Sequence, residues 1–352
     1  MMQMLPRPLA QSVASLFEAA GTPVELARQV ADNLVEANLK GHDSHGVGMA
    51  PRYVQAIADG GLQPDVTAGK AVTDQGSILV MDGLRGYGQV VGHEATQQLA
   101  ARARSQGLGM LGLRNVHHLG RIGAYAEQLA AEGLVSLHFV SVPSSVLVAP
   151  WHGLKARFGT NPVCIGMPSP AGDHVILDFA TSRVAQGKVR VAWLKGERLE
   201  GGPAMVDAEG QLTDDPSVMF SEPKGAQLPF GEHKGAGLAL VCSLLAGSLI
   251  GGVTEQTGPR GVPIVNGMMS IAIDPAALGV GQTLHNEIDS FVAWVKEAAG
   301  PGQIVKAPGD VERESLLLRS REGIPLDEGT LGQLRAAALS VDLDPTALFP
   351  EV

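Results

Sequence analysis

The sequence predicts a mixed α/β protein in which helices from both chain ends enclose a strand-containing middle. Three observations carry this. Apolar residues recur at three- and four-residue steps near both ends, as in Val24, Ala27, Val30, Leu34 and Ala37. Between them, short β-branched runs alternate with helical patterns. Charged residues make up only 18% of the chain and glycine 45 of 352, a turn-rich composition typical of compact enzymes. The expected division is a helical N-terminal part over 1–74 and an α/β domain over 75–285. A helical part over 286–352 packs with the first.

Residues 7–20 and 23–40 read as helices, the second opened by Thr22-Pro23 and stopped by Gly41. Tyr53 to Asp59 continues helically. Ile78–Met81 is a strand, 93–105 a helix, Leu108–Leu113 a strand, 122–131 a helix and 134–142 a β-branched strand. Val163–Met167 and Val175–Leu177 form a further pair around the turn Ala171-Gly172-Asp173. Residues 184–194 read as helix and 197–227 as a polar excursion. Lys234–Leu249 is expected to be a buried helix, since its Gly, Ala and Ser content and lack of aromatic flanks argue against a membrane span. Met269–Ile273 is a strand, 287–298 a helix, Gly302–Lys306 a short strand, and 327–339 and 345–349 are helical.

A net charge of -10 without a basic run argues against a nucleic-acid binder. Two cysteines, Cys164 and Cys242, are too few for a disulfide framework and read as buried thiols. Met1 to Ala20 lacks a basic stretch followed by an apolar core, so a cytoplasmic protein is expected.

Chemistry concentrates at Gly41-His42-Asp43-Ser44-His45-Gly46 and the following Pro51-Arg52-Tyr53, where a helix ends and the chain turns. His42, Asp43 and His45 suggest a metal-dependent hydrolase as one reading, against which stands the absence of any carboxylate cluster. Gly107-Leu108-Gly109-Met110-Leu111-Gly112 fits the dinucleotide fingerprint in letters only. A helix precedes it and a strand follows, the reverse of what a phosphate site needs. His117-His118 lies between a strand end and a helix start, where an imidazole can exchange protons with a substrate oxygen. Gly159-Thr160-Asn161-Pro162 and Asp178-Phe179-Ala180-Thr181-Ser182 offer groups that either hold phosphate or ribose or cap turns. His233 and Lys234 open an apolar helix, and Gly309-Asp310-Val311-Glu312 opens another. Both are candidate anion seats.

In this order, the motifs D-S-H-G, P-R-Y, H-H-L-G, G-T-N-P, D-F-A-T-S, H-K-G and P-G-D-V-E-R resemble the malate/L-lactate dehydrogenase family, which lies outside the Rossmann dehydrogenases. Their versions look closest to its hydroxycarboxylate dehydrogenase branch. The resemblance implies the L-sulfolactate dehydrogenase-like fold, with a non-Rossmann NAD-binding α/β domain plus a helical domain from the chain ends. It implies a homodimer that uses NAD or NADP to interconvert a 2-hydroxy acid and a 2-oxo acid, with cyclic imino acid reduction as the alternative chemistry. By the same carry-over His118 is the general acid and base, His45 and Ser44 line the site, and Asp178 orients an imidazole or the ribose. Leu119, Gly120, Arg121, Asn161, Asp178 to Ser182, His233, Lys234, Asn266 and Gly309 to Glu312 surround the cofactor.

One position departs from the family. Many members have arginine five residues after the motif serine, where this chain has Met49. Arg52 or Arg121, beside Tyr53, is therefore expected to take the substrate carboxylate, and Met49 to line an apolar pocket for bulkier side chains.

Overall fold

The computed structural model describes residues 2–260 and 263–350. Strand β1 (Met2–Met4) leads into helices α1 (Pro6–Ala19), α2 (Val24–Leu39) and α3 (Ala50–Ala58). The middle contains β2 (Lys70–Gln75), β3 (Ile78–Asp82), α4 (Gly88–Gln106), β4 (Leu108–Val116), α5 (Gly123–Ala131), β5 (Val135–Ser141), β6 (Val163–Met167) and β7 (Val175–Phe179). Helix α6 (Gln186–Lys195) precedes the short strands β8 (Met205–Val206), β9 (Leu212–Thr213) and β10 (Ala226–Gln227), and then come α7 (His233–Ala246), β11 (Asn266–Ile273) and α8 (Gly281–Lys296). The chain closes with α9 (Asp310–Glu322), β12 (Ile324–Leu326), α10 (Glu328–Ser340) and α11 (Pro345–Leu348).

The main sheet has the order β2-β3-β4-β11-β5-β6-β7. Only β3 and β4 pair in parallel, across the α4 crossover, and the remaining pairs are antiparallel. Its core joins Leu79, Leu111, Leu113 and Met268 to Val91, Leu99, Tyr125 and Leu129 of α4 and α5. A separate core unites the chain ends. Leu9, Phe17, Val30, Leu34 and Tyr53 pack with Leu326, Leu331, Leu334 and Phe349, and β1 pairs antiparallel with β12. Helices α1, α2, α3 and α10 each bury one apolar stripe, which is what the three- and four-residue spacing requires.

Several expectations need correction. Helix α4 begins at Gly88 rather than near 93, because Gln89, Val90 and Val91 are already buried. The polar excursion folds into the small sheet β10-β8-β9. Residues 303–307 are irregular, not a strand. Helix α7 is only half covered. Ala236, Ala239, Cys242 and Ala246 are buried, while Leu240, Val241 and Leu244 face outward. Gly107 does cap α4 in the left-handed region (φ 80°), with β4 beginning at the next residue.

Candidate active site

The site lies where the two cores meet. Near the end of strand β4, Asn115 takes the left-handed region (φ 51°), its side-chain amide donating to the Asp82 carboxylate at 2.8 Å. That turn carries His117 and His118 out of the sheet. The loop is then pinned from several sides: the Leu119 amide donates to Asn266 Oδ1 at 2.9 Å, and Tyr125 donates to the Leu119 carbonyl at 2.7 Å. Gly88 fits beneath it, since a Cβ there would lie 2.3 Å from the His118 carbonyl oxygen.

On the other side, residues Asp43–His45 form a single 3-10 turn after α2. Asn38 holds this turn at both ends, donating to Asp43 at 2.6 Å and accepting from the Val47 amide at 2.8 Å. Arg319 of α9 grips both Asp43 oxygens, at 2.6 and 3.1 Å. Gly46 is required because a Cβ there would fall 2.1 Å from Asn38 Oδ1. Ser44 packs against Gly187 at the start of α6.

The two segments bring His45 Nδ1 to 3.3 Å from His118 Nε2, with the rings stacked at 5.3 Å between centroids. His118 Nδ1 lies 2.6 Å from the hydroxyl of Tyr53, to which Gln89 donates at 2.8 Å. Tyr53 is fully buried and holds the imidazole from its inner side. Burial first, then the charges of His45, His117 and Arg52, push the His118 pKa well below 6.5. Burial, then His42 and Arg121, push His45 down to about 4.

Arg52 is exposed on α3, and its electrostatic neighbours are Arg190 and Tyr53, with no carboxylate among them. Arg121 is unavailable to a substrate: it is 3% exposed and paired with Glu127, which also binds Lys40 at 2.6 Å. Met49 joins the helical core instead of lining a pocket. Asp178 accepts from the Gly123 amide at 2.7 Å and so fixes the start of α5, and the His42 imidazole is among its electrostatic neighbours. Burial raises its pKa.

Four candidate cofactor residues point inward. Asn161 is fully buried, donating to Ala239, Ser243 and Glu255 and accepting from the Val142 amide. Thr181 donates to the Thr160 carbonyl, Ser182 to the Val184 carbonyl, and Asn266 supports Leu119. The α7 terminus is no open anion seat, because the amides of Lys234, Gly235 and Ala236 donate to Gly231, Phe230 and Glu232. His233 and Lys234 themselves are exposed. At α9, Gly309 takes φ 96° as the cap, and Val311 is exposed. Asp310 binds Lys296 and Arg313, while Glu312 lies 3.1 Å from His42. Gly120 takes φ 74°, and Phe179 and Ala180 are half-buried. His42, Asp43 and His45 therefore each engage a different partner. They form no common donor set, and the hydrolase reading is not supported.

Sequence reasoning missed Asn38, Gln89 and Arg190. Only Asn38 had a visible signal, a polar side chain on the buried stripe of α2.

These buried imidazoles make acid stability a test. His45, His117 and His138 protonate only near 4, 3 and 3 when folded, against 6.5 when free. Below pH 6.5 the unfolded chain binds more protons than the folded one, so stability falls as pH falls. Tm is expected to decline steadily from pH 6.5 to about 4. A flat Tm across that range would contradict neutral burial.

Comparison with known proteins identifies the family. Hydroxycarboxylate dehydrogenase B of Escherichia coli strain K12 is 40% identical over 342 residues, covering 96% of this chain and 93% of its own. The solved sulfolactate dehydrogenase of Methanocaldococcus jannaschii superposes with a TM-score of 0.86 at 28% identity, covering 98% and 99%. The Δ1-piperideine-2-carboxylate reductase of Pseudomonas syringae gives 0.83 at 28%, covering 96% and 100%. The sequence pattern described as malate/L-lactate dehydrogenase matches residues 6–335, and the chain belongs to the malate/L-lactate dehydrogenase family.

Proposed function

We propose that the chain interconverts a 2-hydroxy acid and a 2-oxo acid with NAD or NADP, and that His118 is the general acid and base. The observation that carries this is the pairing of His118 with His45 beside an Arg52 that has no carboxylate partner among the described residues. In reduction, protonated His118 gives the Nε2 proton to the oxygen on C2 of the substrate, and in oxidation it takes that proton back. Tyr53 keeps Nδ1 occupied on the buried side, so Nε2, which faces His45 Nδ1 at 3.3 Å, is the nitrogen that exchanges its proton with substrate. Arg52 grips the carboxylate, and Arg190 adds positive charge on the same side. Bound NAD(P) supplies or accepts the hydride.

The residues present fit such a cofactor. Exposed His233 and Lys234 suit its phosphates, and half-buried Phe179 and Ala180 with the Leu119-Gly120 turn make a wall. The helical part over 1–74 and 286–352 then carries the substrate side and the part over 75–285 the cofactor side. A homodimer is supported by the outward stripe of Leu240, Val241 and Leu244 and by the exposed stacked pair Phe291–Trp294. The two unpaired cysteines suit a cytoplasmic setting.

The test is oxidation of NADH and NADPH with oxaloacetate, pyruvate, phenylpyruvate, sulfopyruvate and a cyclic 2-imino acid. Turnover of a 2-oxo acid supports the proposal, and the favoured nucleotide fixes the cofactor. Turnover of the imine alone would replace it with the reductase reading, which the Pseudomonas syringae relative favours.

A further inference from the structure

A histidine that gives and takes protons exists in two protonation states, yet the buried nitrogen of His118 has one partner for both. That partner is Tyr53, whose hydroxyl lies 2.6 Å from Nδ1. Among the described residues the hydroxyl has one other partner, Gln89, whose Nε2 donates to it at 2.8 Å. The phenol carries a single proton. With Gln89 donating, that proton goes to Nδ1, which makes neutral His118 the Nε2–H tautomer. When His118 is cationic, Nδ1 bears its own hydrogen and the phenol oxygen has to accept it. The phenol proton then needs a new acceptor, and Gln89 is the side chain in reach. As oriented, Gln89 leaves its Oε1 buried without a partner. An amide turned end for end would put that oxygen on the phenol.

We propose that Gln89 is a positioning residue that inverts its amide with the protonation of His118. It offers NH2 to Tyr53 when His118 is neutral and the carbonyl when His118 is cationic, so Tyr53 holds the ring in both states. The proposal rests on His118 being the proton carrier. The other groups facing His118 are His45, His117 and Arg52, and none hydrogen-bonds the phenol among the described residues. Gln89 is 2% exposed and lines a cleft of about 520 Å3 between α2, α4 and α5, beside Gln29, Asn33 and Tyr125. The amide therefore turns among polar groups, where both orientations find partners more readily than in an apolar core.

The test reads the ring nitrogens of His118 by 15N NMR in the free protein at alkaline pH, with its signals identified by their loss in His118→Gln. Wild type is expected to show unprotonated Nδ1 and protonated Nε2. In Gln89→Glu an ionised carboxylate only accepts, so the phenol turns to it and Nδ1 becomes the protonated nitrogen. Gln89→Leu keeps the wild-type tautomer. Protonated Nδ1 in wild type, or unprotonated Nδ1 in Gln89→Glu, would overturn the proposal. If Gln89→Glu does not fold, Gln89→Leu decides through the pH profile of 2-oxo acid reduction. Without an acceptor for the phenol proton, the limb belonging to His118 moves down by about one unit, tenfold in proton affinity, with KM unchanged. An unmoved limb would overturn it. Failure of wild type to turn over any 2-oxo acid would count against the dehydrogenase reading, and the NMR result would still decide the role of Gln89.

Discussion

His118→Gln is expected to lower turnover of the preferred 2-oxo acid by about 10²–10⁴, the range for a positioned acid/base. Glutamine is close in size and its carbonyl can still accept from Tyr53, so the fold and KM should change little. Only proton transfer is lost, which marks the effect as one on the transition state. The wild-type pH dependence follows from the same environment. Burial first, then the nearby His45, His117 and Arg52, disfavour imidazolium, so His118 sits well below 6.5. Reduction needs the protonated form and slows as pH rises through that value, whereas oxidation needs the neutral form and gains. Near-wild-type turnover in His118→Gln, with an intact circular dichroism spectrum, would remove His118 from the chemistry.

The histidines were legible because they are scarce, 10 in 352 residues, and cluster at a helix stop and a strand end. Their pairing across 73 positions depends on how two cores dock, which local pattern does not encode. Helices α1 and α2 were legible because each buries one stripe. Strand β2 was not, since five of its six residues are exposed and no alternation marks it. Hydroxyls and amides after strands were recognised as turn groups, but only the register shows Asn161 and Thr181 facing inward. Likewise, Arg121 and Arg52 look alike in sequence. Glu127, six residues further on in α5, neutralises Arg121.

That difference sets the second large effect. Arg52→Leu is expected to raise KM for the 2-oxo acid by about a hundredfold, since charged hydrogen bonds contribute about 1.5–3 kcal/mol. The change in kcat should be smaller, because the carboxylate bears its charge in ground and transition states alike. Arg52 and Arg190 act on each other with no acid between them, a repulsion that an anionic substrate relieves. Arg121→Leu should behave oppositely. It strands the half-buried Glu127 with Lys40 alone, so it should lower Tm before any effect on KM is resolved. If Arg52→Leu left KM unchanged, the carboxylate would have to bind elsewhere, and Arg190, the neighbouring cation on α6, would be the next residue to replace. A rise in KM with Tm intact would instead separate the two arginines by role: Arg121 neutralises Glu127 of α5, and Arg52 selects acids as substrates.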